Sequence, residues 1–138
     1  MEQSLPKVLI VDDETSNLKI LKDLLADNAQ IIIAKNGAKA IEIAERTQPH
    51  LILLDVVMPE MNGFEVIRAL KHLPATQDTP VIFITGLVNS NDEEMGFKLG
   101  AQDYIYKPFN LDVTKTRVLN HLQIVSQNSQ LQALSKKL

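Results

Sequence analysis

VLIVDD, residues 8–13, is a run of four apolar side chains closed by two carboxylates. A short continuous apolar run reads as a strand covered on both faces, not as an alternating, half-exposed one. Four more such runs follow: Ile31–Ala34, Leu51–Leu54, Val81–Ile84 and Tyr104–Tyr106. Their starts lie 23, 20, 30 and 23 residues apart, which leaves room for a helix and two loops in each gap. Antiparallel hairpins need far less chain. The gaps carry helical periodicity. Leu18, Leu21 and Leu25 recur at i, i+3 and i+7, widened by Ile20 and Leu24. Ile41 and Ala44 repeat the pattern up to Pro49, and Val66, Ile67 and Leu70 do so up to Pro74. Asn91 ahead of Asp92, Glu93 and Glu94 reads as an N-cap with an acidic first turn, and Gly100 fits the far end. Asn110 is placed to cap a last helix from about Leu111. The sum is an α/β chain of the form (βα)5, a doubly wound parallel sheet with expected strand order 2-1-3-4-5.

Composition narrows the chemistry. The 138 residues suffice for one domain with its own core, and there is no cysteine. That excludes a disulfide scaffold, a thiolate metal site and a cysteine nucleophile. No apolar run approaches the roughly 18 residues of a membrane span, and residues 1–7 lack the pattern of a secretory signal. The expected location is therefore reduced and cytoplasmic, with no membrane partner. Net charge is −3, but residues 1–112 carry −7, while 113–138 carry +4 from Lys115, Arg117, Lys136 and Lys137. An acidic body argues against direct nucleic-acid binding by the whole surface.

In an open α/β sheet, ligands bind beyond the carboxyl ends of the strands. Here those ends are Asp12-Asp13, Asp55, Thr85 and Lys107, and only the second strand, ending in Lys35-Asn36, offers nothing obvious. Taken singly each is ordinary, since Asp suits turns and a lone Lys is usually solvated. Together they are matched. With strands one and three adjacent, Asp12, Asp13 and Asp55 would share a pocket and repel one another. A hard divalent cation removes that conflict, and oxygen-only ligands favour Mg2+ or Mn2+ over zinc. One ammonium and one hydroxyl complete a site for a phosphoryl group, with a carboxylate, most simply Asp55, as nucleophile. There is no G-x-x-x-x-G-K-[ST] loop, no glycine-rich turn after the first run and no D-x-D-x-T. His50, His72 and His121 show no ligand spacing.

VLIVDD (8–13), LILLDVVMPEMNGFE (51–65), PVIFITG (80–86) and GAQDYIYKPF (100–109) stand in order and at separations that resemble the receiver domain of two-component response regulators. The resemblance covers about residues 6–123, leaving 124–138 as a helical extension or linker. It implies a flavodoxin-like fold and a phosphorylation-dependent switch with no enzymatic action on other molecules. Asp55 would be the phosphoacceptor, taking a phosphoryl group from a sensor histidine kinase or phosphotransfer protein. Asp13 would ligate Mg2+ directly and Asp12 through water, with Asp55 and the Val57 backbone carbonyl as further ligands. Lys107 would pair with phosphoryl oxygens, aimed by a cis Lys107–Pro108 peptide. Thr85 would reach the phosphoryl through its hydroxyl, and Tyr104 would rotate inward as Thr85 moves; without that role Tyr104 would be an exposed aromatic on an edge strand. Departures are few. Asn62 replaces a usual Asp, which a turn tolerates equally, and Gly86 replaces a usual Ala. Val57 and Leu87 cannot hydrogen-bond a hydrolytic water, so a long phosphoryl lifetime is expected.

The two rival functions are an aspartyl-phosphate phosphatase and a degenerate receiver that acts only as an interaction module. The first lacks an added acid or base near Asp55, and the full set of five site residues argues against the second. In the tail, Ile124, Leu131 and Leu138 recur every seven residues, with Asn128 and Ser135 between them. That short heptad pattern would allow a homodimer through the C-terminal helix. DVTKTRVLNHL (112–122) also resembles receivers that feed enzymatic output domains or kinases, often in cyclic-dinucleotide signalling. A downstream output domain or partner is the expected recipient of the signal.

Overall fold

Each apolar run becomes a strand and each gap a helix. The computed structural model describes residues 4–137, with side chains through Ser135. The order is β1 (Lys7–Val11), α1 (Thr15–Leu25), β2 (Gln30–Ala34), α2 (Gly37–Thr47), β3 (Leu51–Asp55), α3 (Gly63–Lys71), β4 (Val81–Thr85), α4 (Ser90–Lys98), β5 (Asp103–Tyr106) and α5 (Leu111–Lys137). All strand pairs are parallel, in the order β2-β1-β3-β4-β5. The fold is the flavodoxin-like one expected, with a long C-terminal helix.

Alternation along the strands divides the core in two. Val8, Ile10, Leu51, Leu53, Ile82, Ile84 and Ile105 pack against Leu18, Leu21 and Leu25 of α1 and Val118 and Leu122 of α5. The intervening residues Leu9, Val11, Ile52, Leu54, Val81, Phe83 and Tyr104 pack on the opposite face, against Ala40 and Ala44 of α2 and Val66, Ile67 and Leu70 of α3. Nearly all these side chains are fully buried, which explains why the runs are continuous in sequence.

The helix starts refine the reading of the polar residues. The α4 N-cap is Asn89, two residues before the expected Asn91; its side chain accepts the Asp92 N–H at 2.9 Å. Asn91 lies inside the first turn, where its side chain has no orphan donor to reach. Asn36, which offers nothing to a ligand, caps α2 by accepting the Lys39 N–H at 2.8 Å. Asn62 forms a capping box with Glu65 at the start of α3, so Asn serves that position as well as Asp would. Asn110 accepts the Val113 N–H, as expected. Helix α5 runs unbroken past residue 123, with Ile124, Leu131 and Leu134 exposed. Of the tail features, Leu138 and the Lys136 and Lys137 side chains lie outside the described residues, as do residues 1–3 at the start. Among the described residues, no helix is long and apolar enough to cross a membrane.

Candidate functional site

Register brings the strand ends together. Val11 pairs with Leu54, so Asp12, one residue on, stands beside Asp55, which itself pairs with Ile84. Thr85 pairs with Tyr106, which sets Lys107 one step beyond. Alternation also assigns the faces. Asp12 and Asp55 share parity with Ile10 and Leu53, and Lys107 with Ile105, while Thr85 shares parity with Phe83 and Tyr104. The carboxylates and the ammonium therefore meet on one side, and the hydroxyl lies toward the Tyr104 side.

Asp12, Asp55 and Thr85 are buried, and Asp13 is exposed at the rim. Lys107 Nζ lies 3.0 Å from Asp12 Oδ2 and 3.2 Å from Asp55 Oδ2. Burial alone would lower the Lys107 pKa, but the two carboxylates outweigh it and hold the ammonium above its usual value. The reverse holds at Asp55. Burial first, and then the charge on Asp12, push its carboxyl from 3.8 up to about 7 against the opposing pull of Lys107. The remaining contacts are backbone donors: Glu14 N–H to Asp12 Oδ1 at 2.9 Å, Val57 N–H to Asp55 Oδ1 at 3.2 Å, and Leu87 N–H to Thr85 Oγ1 at 3.0 Å. The Lys107–Pro108 peptide is cis.

The residues fit a divalent cation. Asp12, Asp13 and Asp55 each place a carboxylate oxygen within 4.8 Å of the others. Asp12 Oδ2 is buried, and the Lys107 ammonium 3.0 Å away is shared with Asp55. One ammonium does not balance the carboxylates gathered here, and a hard cation offsets the charge that remains. The cleft above has a volume of about 570 Å³ and is walled by Val57, Met58, Pro59, Gly86 and Leu87.

Two supporting residues were not singled out from sequence. A Cβ on Gly63 would lie 2.4 Å from the Asp55 carbonyl oxygen, so only glycine lets α3 start directly behind the end of β3. Asn-Gly reads equally as a turn, which hides this role. Glu14 lines the cleft and holds Asp12 through its backbone, a contact with no side-chain signal. Tyr104 is only 3% exposed, not an exposed edge aromatic, and its hydroxyl donates to the Asp92 carbonyl at 2.8 Å.

A doubly wound sheet with this cluster at its switch point defines a receiver domain of two-component response regulators. The chain belongs to that family: the model of the response regulator receiver domain matches residues 8–119. It is 47% identical over 116 residues to a Vibrio cholerae protein named "Probable cyclic di-GMP phosphodiesterase", covering 84% of this chain and 26% of that protein. It is 40% identical over 105 residues to the response regulator PleD of Caulobacter vibrioides, covering 75% of this chain and 23% of PleD. The chain thus spans about a quarter of the length of these relatives. Among solved structures, it is similar to the chemotaxis protein CheY4 of Vibrio cholerae, with a TM-score of 0.79 and 30% identity over 88% of this chain and 99% of that one.

Proposed function

We propose that the chain is a phosphorylatable switch whose phosphoacceptor is Asp55. The observation that carries this is the pairing of Asp55 with Lys107 beside Asp12 and Asp13 at the open end of the sheet. The Asp55 carboxylate attacks the phosphorus of a phosphohistidine on a kinase or phosphotransfer protein; the new O–P bond forms as the P–N bond breaks, and the ring, already protonated on its other nitrogen, leaves as neutral imidazole. Lys107, already between the carboxylates, turns its ammonium to the transferred oxygens. Asp13, Asp12, Asp55 and the Val57 carbonyl would hold Mg2+, for which Mn2+ is an alternative. Bound there, the cation neutralises charge on the incoming phosphoryl group. The Thr85 hydroxyl, now accepting from Leu87 N–H, donates instead to a phosphoryl oxygen, and that movement is passed to the α4–β5 face, where Tyr104 is already turned inward. The chain acts on no substrate beyond its own phosphotransfer and dephosphorylation. Residues 124–138 form the connection toward an output domain or a second copy, beyond the receiver at 1–123. Incubation with acetyl phosphate and Mg2+, followed by intact-mass measurement, tests the reading. One added phosphoryl group is expected, lost in Asp55→Ala; no adduct in the wild type would leave an interaction module.

A further inference from the structure

Helix α4 has a glycine in its body where every local preference argues for something else. After proline, glycine is the poorest residue for a helix interior, and Gly96 is two residues from the helix end, too early for a C-terminal cap. What it faces explains it. A Cβ at this position would sit 1.9 Å from Tyr104 Oη, 2.9 Å from Tyr104 Cζ and 3.0 Å from Phe83 Cε2. The tyrosine ring fills the space that a side chain would take, packed against Phe83 at 5.5 Å and Phe97 at 5.2 Å between ring centroids. Its hydroxyl donates to the Asp92 carbonyl, the oxygen to which α-helical pairing also assigns the Gly96 N–H. Tyr104 is thus tied to the first turn of α4 through a notch that a single methyl group would close.

We propose that Gly96 is a positioning residue that seats Tyr104 inward before any phosphoryl group is present, and so sets the arrangement of the α4–β5 face. A larger residue at 96 expels the ring and breaks its hold on α4. The inward position is then a property of the unmodified chain, and modification at Asp55 meets a tyrosine already in place. Only the consequence for signalling rests on the phosphoacceptor reading; the seating itself does not.

Tyr104 and Tyr106 are the only tyrosines and there is no tryptophan, so Tyr106→Phe leaves Tyr104 as the sole fluorophore of its kind. In that background, acrylamide quenching is measured with Gly96 retained and with Gly96→Ala, before and after treatment with acetyl phosphate and Mg2+. With Gly96 retained, quenching should be weak before treatment and stay weak after it. In the Gly96→Ala chain it should rise severalfold and stay high even in protein whose intact mass shows the phosphoryl group. Strong quenching of the untreated chain with Gly96 retained, or weak quenching of the Gly96→Ala chain, overturns the proposal. Should Gly96→Ala fail to fold, Gly96→Ala combined with Tyr104→Leu must restore a cooperative thermal transition; failure of that pair overturns it too. Absence of a mass adduct would instead count against the phosphoacceptor reading, since the quenching contrast is read before the phosphodonor is added.

Discussion

Asp55 is held in a position that suits a nucleophile and strains a fold. Burial and the neighbouring Asp12 raise its pKa to about 7, so the metal-free fold favours the neutral acid. A raised folded-state value contributes stability that is complete below the unfolded value of 3.8 and is lost as pH rises through about 7. In chelator, thermal stability should therefore fall between about pH 4 and about pH 7, and Mg2+ should restore it at the upper end. Asp55→Asn should flatten that profile and stabilise the metal-free chain at about pH 8 by about 1–2 kcal/mol, less than the pKa rise implies because the ion pair with Lys107 is lost. The mouth of the cleft carries a kinetic counterpart. Val57 is 58% exposed there and offers no hydrogen bond to an attacking water. Val57→Asn should shorten the phosphoryl lifetime by about tenfold, on the order of 1.4 kcal/mol of barrier; unchanged or slower decay would refute the role given to that position. These residues were legible because each strand end follows directly from an apolar run. Gly63 and Gly96 were not, because what they avoid touching lies elsewhere in the chain and only packing reveals it.

At the scale of elements, capping governs where the helices bordering the site begin. The Asn62–Glu65 box starts α3 directly behind Asp55, and Asn89 starts α4 four residues after Thr85. Asn62→Ala should cost about 1 kcal/mol, seen as a drop of roughly 3–5 °C in the melting temperature, with phosphoryl uptake retained. Asn89 and Asn91 show where sequence reasoning loses precision. Both precede the acidic turn Asp92-Glu93, and only the backbone path leaving β4 decides which side chain meets the Asp92 N–H. The burial of Tyr104 was hidden for a related reason. A four-residue edge strand usually shows one face to solvent, but here α4 covers it and Gly96 admits the ring.

Across the whole molecule, the two cores have different relations to the site. The α1–α5 core lies on the side of the carboxylates and Lys107, while the opposite core contains Phe83 and Tyr104 and shares parity with Thr85. Thr85 is thus the site residue that borders the second core, which gives a charge change at Asp55 a physical route to α4 and β5. Helix α5 packs through Leu122 and then continues with Ile124, Leu131 and Leu134 exposed. Truncation after residue 123 should leave the melting temperature within a few degrees of the full chain, roughly the effect of losing solvated helix alone, and should abolish any dimer seen by light scattering. The most direct test of the central claim is to locate the phosphoryl group. Protein treated with acetyl phosphate and Mg2+ is reduced with borohydride, which converts an aspartyl phosphate to homoserine, and the peptides containing residues 8–13 and 51–65 are sequenced by mass spectrometry. Homoserine at position 55 alone is the predicted result; homoserine at 12 or 13, or none at 55 in protein that carries the adduct, would contradict the account.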